Sequence, residues 1–240
     1  MNGQQGYDYN TGLYPLGSGG ETMKKKKKKM SPSGIDWPGL THTWSPIVGC
    51  KHRCPYCIAE KWNNHYRWIP KWDDPQIFPE RMEAPLNHRK PCSIFVVFLG
   101  DLFGDWVDSD FIRSVIYVTE RARQHTYWFL TKNPRRYQLF DFGANCKLGV
   151  TITGEESEGM QLYKLNCLIE GGKSSPLAKT FVSIEPLQGT VCFAGDYIDQ
   201  FIVGAQTNPD IAPGPEWIRS VQYNVPAEKI HWKNNIKRYL

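Results

Sequence analysis

The chain reads as an α/β protein, a partial, TIM-like (β/α)6 barrel with parallel strands. Three observations carry this. Short apolar runs, such as residues 93–99, alternate with helix-period stretches, such as residues 109–122, which is the pattern of βα units on a parallel sheet. Several runs are continuously apolar, as expected of strands covered on both faces. Polar groups recur where the runs end, and ligand sites of parallel α/β folds collect at that edge.

Length and composition bound the rest. The 240 residues suffice for one sizeable core, and 40% hydrophobic with 22% charged content fits a soluble globular domain. No apolar run reaches the roughly 18 residues of a membrane span. The N-terminus has no hydrophobic signal core, so secretion is not expected. The cysteine count is seven, with three clustered, which does not read as a secreted disulfide framework. A reducing, cytoplasmic setting is the expectation. The formal net charge of +5 is unevenly placed. Residues 1–30 carry six lysines, Lys24 to Lys29, against Asp8 and Glu21, which is +4 and leaves +1 for residues 31–240. A near-neutral body makes no global electrostatic case for nucleic acid.

In chain order, residues 1–33 read as a disordered Lys-rich tail or leader, and residues 34–240 as the barrel domain. The first strand is expected over 41–48, followed by a helix over 58–68. Further strands are expected at 93–99, 126–131, 148–152, 180–184 and 201–203, with a short seventh at 230–232. Helices are expected after a cap at Ser109-Asp110, around 135–140, through about Leu168, and at 215–221, where Pro215 suits a first turn.

The stretch with the most chemistry is Cys50-Lys51-His52-Arg53-Cys54-Pro55-Tyr56-Cys57, a C-x3-C-x2-C loop between the first strand and its helix. Three thiolates on one short loop can hold three irons of a four-iron cubane and leave the fourth iron open. The alternative is zinc, held by the three cysteines and His42, His52 or His65. Structural zinc sites usually show two separated pairs, and no second pair is present. Cys92, Cys146, Cys167 and Cys192 are isolated and read as small buried hydrophobes. A thioredoxin-type reading of Cys54 and Cys57 leaves Cys50 unexplained. Residues 61–72 interleave Trp62, Tyr66, Trp68 and Trp72 with Lys61, Arg67 and Lys71. Such aromatics can stack bases; the plainer expectation is a lid packed over the loop.

The loop, with Tyr56 just before its last cysteine, resembles the radical S-adenosylmethionine superfamily. More specifically, Thr43-Trp44-Ser45-Pro46, Gly100-Asp101-Leu102-Phe103, Leu130-Thr131-Lys132-Asn133-Pro134 and Ser183-Ile184-Glu185-Pro186 resemble the phage Gp37/Gp68-like proteins, the DUF5131 family. The tail from Ile202 to Gln206 and from Pro215 to Arg219 is similar as well. The likeness spans roughly residues 34–240. It departs at Gly204-Ala205-Gln206, where a Gly-Gly-Glu-like stretch is commoner.

The resemblance implies a [4Fe-4S] cluster on Cys50, Cys54 and Cys57 and S-adenosyl-L-methionine on the open iron. A reduced cluster would yield methionine and a 5′-deoxyadenosyl radical that abstracts hydrogen from a substrate. A flavodoxin- or ferredoxin-like electron donor is the expected partner. Cofactor contacts are expected at Tyr56, whose main chain would border the adenine, and at Gly100 and Asp101 for the ammonium. Thr151, Ser183 and Glu185 are expected near the ribose, with Glu185 held extended before Pro186. Lys132, Arg135 and Gln206 are candidates for substrate contact. Nucleic acid or a nucleotide is one substrate class, supported by residues 61–72 and by Arg135 and Arg136. Two other readings stand beside this one: a zinc-stabilised nucleic-acid-binding module, and a degenerate barrel without catalysis.

Overall fold

In the computed structural model, which describes residues 29–240, seven parallel strands lie side by side in chain order. They are β1 (His42–Trp44), β2 (Ser93–Val96), β3 (Thr126–Thr131), β4 (Cys146–Thr151), β5 (Lys179–Ile184), β6 (Gln200–Val203) and β7 (Ile230–Trp232). Each pairs in parallel with its sequence neighbour. Ser31–Pro32 adds an antiparallel strand on the free side of β1, making an eight-stranded sheet. The fold is therefore mixed α/β around a mostly parallel sheet, and the short seventh strand expected at 230–232 is present as β7 beyond the six of the expected (β/α)6 unit. Met30 is buried and Ser31–Pro32 is paired, so order begins ahead of the expected boundary at Gly34. The reading of residues 1–28 as a tail lies outside the described residues.

Helices α1 (Ile58–Tyr66), α2 (Ser109–Arg121), α3 (Glu158–Ser174) and α4 (Pro215–Asn224) connect the strands. The cap of α2 falls one residue earlier than expected: the Asp108 carboxylate accepts from the Asp110 and Phe111 N–H groups. Helix α3 runs to Ser174, past the expected end near Leu168. It passes Gly171, where a Cβ would stand 2.6 Å from the Tyr137 Cβ. That glycine is a packing residue there, not a helix stop.

The strands alternate between two apolar layers. Ile94, Val96, Tyr127, Phe129, Leu148, Val150, Val182 and Phe201 face α2, α3 and α4, including Phe111, Val115, Leu165, Leu168, Ile218 and Val221. Phe95, Trp128, Phe181 and Ile202 face the other way and pack on Trp37 and Leu40. Trp37 stacks on Phe95 at 4.8 Å and meets Trp128 and Phe181 at 5.4 Å. The segment carrying it crosses this face. It leaves the strand at Ser31–Pro32, and its Asp36 then accepts from the Asn234 N–H beyond β7 at 2.6 Å.

Two expected strands are shorter in fact. The first breaks at Pro46, which has no N–H to donate. Ile47–Val48 then pairs antiparallel with Gln76–Ile77. The apolar run after Ser93 ends as a strand at Val96 because Val97 takes φ 57, a left-handed conformation uncommon for a β-branched residue. No helix among the described residues is long and apolar enough to cross a membrane.

Candidate functional site

The loop from Cys50 to Cys57 leaves the C-terminal end of the β1 region through an unusually close backbone contact. Gly49 and Gly100 form an isolated parallel bridge, and the Gly49 N–H donates to the Leu99 carbonyl at 2.8 Å. A Cβ on Gly100 would lie 2.5 Å from the Gly49 oxygen. Gly49 itself has φ +111, and a Cβ there would lie 2.8 Å from Trp72 O. Both positions require glycine. The Cys50 N–H then donates to the Trp72 carbonyl at 2.9 Å.

Besides an exposed Arg53–Asp73 pair at 2.9 Å, three side-chain contacts hold the rest of the loop. His52 Nε2 sits 2.7 Å from Asp101 Oδ2. Lys132 Nζ donates to the Tyr56 hydroxyl at 2.7 Å. The Cys57 sulfur caps α1, accepting from the Glu60 N–H at 3.4 Å. An anionic sulfur is favoured at that helix end. Burial pushes the Cys50 thiol up to about 12 and also raises Cys57 and Tyr56, the last with a further push from Cys54. A metal bound at Cys50 would have to displace a proton that burial holds on the sulfur.

Asp101 is the hub of this arrangement. It is buried. Its Oδ2 accepts from Thr131 Oγ1 at 2.9 Å and from the Lys132 N–H at 3.0 Å, besides facing His52. Its Oδ1 accepts from the Phe103 N–H at 2.9 Å. A carboxylate offers about four acceptor sites. Three of these four partners meet on Oδ2, so Asp101 ties the cysteine loop to the end of β3, and Oδ1 keeps one acceptor site beside its bond to Phe103.

The loop forms one wall of a cavity of about 560 Å³. Every parallel strand contributes to it at its C-terminal end: the three cysteines after β1, Gly100 after β2, Lys132 after β3 and Thr151 on β4. Glu185 follows β5, Gln206 follows β6, and Lys233 with Asn235 follows β7. Ser183 and Tyr56 also line it. Arg135 does not. It lies outside, paired with the exposed Asp105 at 2.9 Å. Its neighbour Arg136 is buried and donates to the Gly104 and Val107 carbonyls, which makes it a loop brace and removes it from any nucleic-acid surface.

Glu185 is held by three donors: the Trp37 indole at 2.6 Å, the Ser183 hydroxyl at 3.2 Å, and Lys233 Nζ. The Glu185–Pro186 peptide is cis. Gln206 is buried, and its Oε1 accepts from Gln188 Nε2 at 2.6 Å. Asn235 Oδ1 is a buried acceptor without a partner, while its Nδ2 donates to the Ala205 carbonyl at 2.8 Å.

The other cysteines stand apart from the cavity. Cys146 and Cys167 are buried, Cys92 and Cys192 half-buried, and all are free thiols. Among the described residues, no group of three or more His, Cys, Asp or Glu is gathered closely enough to hold a single metal ion.

A family model described as a protein of unknown function, DUF5131, matches residues 32–235. The chain belongs to the DUF5131 family. No curated protein and no solved structure gives a significant match. Sequence reasoning about this DUF5131 protein missed Trp37, His52 as the partner of Asp101, Lys233 and Asn235. Lys233 and Asn235 were within reach, because they follow the seventh strand as the other rim residues follow theirs. Trp37 gave no signal, since its partners lie 58 to 148 residues away, from Phe95 to Glu185.

Proposed function

We propose that this DUF5131 protein is a radical S-adenosylmethionine enzyme built on a partial (β/α) barrel, with its cluster on Cys50, Cys54 and Cys57. One observation carries the reading: three cysteines and the C-terminal ends of all seven parallel strands share one cavity. The sequential strand order supports the barrel, because it is the order produced when every crossover winds the same way.

The donor set fits a [4Fe-4S] cluster. A cubane distributes three thiolates over three irons, whereas zinc needs its ligands to converge on one point. The histidines that zinc would need are elsewhere or engaged. His42 opens β1, at the far end from the cysteines; His65 is exposed near the end of α1; His52 Nε2 faces Asp101. The cavity volume falls within the roughly 300–1,000 Å³ of ligand pockets. The unpartnered Asn235 oxygen supplies an acceptor for a bound polar ligand.

When bound, the cluster and S-adenosylmethionine supply a 5′-deoxyadenosyl radical for hydrogen abstraction. The chain's own residues hold and enclose. Asp101 and Lys132 fix the cysteine loop through His52 and Tyr56. Trp37 and Lys233 fix the Glu185 carboxylate, which keeps acceptor capacity for a ribose hydroxyl beside Ser183 and Thr151. Trp37 and Phe95 close the inner face against water.

The test is anaerobic reconstitution with iron and sulfide, then dithionite and S-adenosylmethionine, with chromatography for 5′-deoxyadenosine. The expected result is deoxyadenosine from the parent and none from Cys54→Ala. Stoichiometric zinc with no cluster would overturn the reading. A full cluster without cleavage would favour a scaffold that has lost catalysis.

A further inference from the structure

The aromatic residues after the cysteine loop form the expected lid only in part: Trp72 packs with Cys50, and Trp62 borders the cavity. Only Trp72 is buried. Trp62, Tyr66 and Trp68 are 40%, 60% and 36% exposed. Tyr66 and Trp68 stack on each other at 5.2 Å with 22° between their planes, leaving ring surface facing solvent. Trp62 precedes Tyr66 by one helical turn, on the same side of α1. It packs at 5.5 Å on Phe98, and both rings line the cavity. The exposed rings thus run from the cavity mouth outward along one helix.

The turn that presents them is locked. Arg67 caps α1 in a left-handed conformation, φ 54 and ψ 45, and its N–H donates to the Asn63 carbonyl at 2.7 Å. Asn63 is buried, and its side chain makes two bonds to the Ile69 backbone, at 3.0 and 3.1 Å. A platform ordered in advance loses little entropy on binding.

Charge gathers at the same place. Residues 51–71 carry Lys51, Arg53, Lys61, Arg67 and Lys71 against Glu60, a net +4, with Arg53 paired to Asp73 just beyond at 2.9 Å. Residues 31–240 sum to +1, so the remainder of that body is at −3. The near-neutral total conceals a basic segment next to the cavity. Flat rings interleaved with ammonium and guanidinium groups are how proteins hold unpaired bases and their backbone.

Resting on the proposed function only for what happens inside the cavity, we propose that the outer face of α1 and the turn after it bind single-stranded nucleic acid. Bases stack on Trp68, Tyr66 and Trp62, and the strand leads toward the cavity.

The experiment is fluorescence anisotropy of labelled oligo(dT), oligo(U) and a mixed-sequence duplex with the full chain. Three variants run beside the parent: W62A/W68A, K61E/R67E, and a chain with Lys24 to Lys29 replaced by glutamine. Lys61 and Arg67 are exposed, so the melt of K61E/R67E should match the parent; Trp62 also packs on Phe98, so Tyr66→Ala, at the most exposed ring, is the reserve variant if W62A/W68A melts early. Single strands should bind more tightly than the duplex, with affinity falling as salt rises. W62A/W68A and K61E/R67E should each weaken single-strand binding tenfold or more. Quenching of tryptophan fluorescence by the oligonucleotide should survive in the glutamine variant. The two single strands separate an RNA from a DNA preference. Platform variants that bind like the parent, with the loss confined to the glutamine variant, would overturn the proposal. So would phosphatidylserine vesicles responding to the same substitutions while oligonucleotides do not. Deoxyadenosine is assayed on the same preparations. Oligonucleotide binding without deoxyadenosine sinks the enzymatic reading and keeps the track. Deoxyadenosine without oligonucleotide binding does the reverse.

Discussion

The two ends of the parallel sheet use the same residue types to opposite effect. The C-terminal end gathers Cys50, Cys54, Cys57 and His52, and the N-terminal end gathers Cys92, His42, His88 and His125. At the N-terminal end the groups answer one another. Cys92 Sγ lies 3.3 Å from His125 Nδ1, and His125 Nε2 lies 3.1 Å from the Pro85 carbonyl. The His42 and His88 rings are 5.1 Å apart, and His88 and His125 5.8 Å. At the C-terminal end Asp101 and Glu185 each hold several donors, while the cysteines border the cavity. The strand direction explains the asymmetry. Every parallel strand of the sheet delivers its following loop to the same end, so side chains accumulate there around a space that the sheet itself does not fill.

The sharpest way to break this comparison is a matched pair of cysteine substitutions. Cys50→Ala should abolish bound iron after anaerobic reconstitution. Cys92→Ala should leave iron content unchanged and cost about 1 kcal/mol of stability. Equal iron loss in both would erase the distinction between the ends. Next in size is Asp101→Ala. It strips acceptors from Thr131, Lys132, Phe103 and His52 together, so urea unfolding should show a loss of about 3 kcal/mol, with iron uptake falling too. A loss under about 1 kcal/mol would mean that Asp101 is not the hub.

A smaller effect belongs to the N-terminal end. Burial lowers the His42 pKa, and the like charges of His88 and His125 add to it. Burial also lowers His125, against the opposing pull of the Pro85 carbonyl. Between the lowered folded values and the unfolded value near 6.5, the unfolded chain binds more protons. Stability is therefore fully present above that unfolded value and falls as pH drops below it. Melting temperature should decline from pH 7.5 to 5.5, and less steeply in His42→Gln. A flat profile in the parent would show that these histidines titrate as free ones do. The smallest effect is expected outside both ends. Arg135→Ala breaks an exposed pair with Asp105 and should change stability by less than about 0.5 kcal/mol. A larger loss would give Arg135 a structural role that its surroundings do not explain.

Much of this molecule was legible in its residues. The βα alternation anticipated a parallel sheet, and polar residues at the run ends anticipated which side chains meet. Cys50, Asp101, Lys132, Thr151, Glu185 and Gln206 do line one cavity. Local pattern carries such information because strand period and direction are local properties. What each residue does there was less legible. Asp101 and Glu185 looked like open carboxylates because their donors come from distant segments: Thr131 and His52 for one, Trp37 and Lys233 for the other.

The sequence by itself determined the alternation of elements, the spacing of the three cysteines and the DUF5131 likeness. All of these are properties of neighbours along the chain. Only the tertiary structure decided that Trp37 crosses the inner face, that Asp101 holds the loop, and that Trp62, Tyr66 and Trp68 stand outward. Burial and hydrogen-bond satisfaction depend on which surfaces meet, and those surfaces come from segments far apart in sequence.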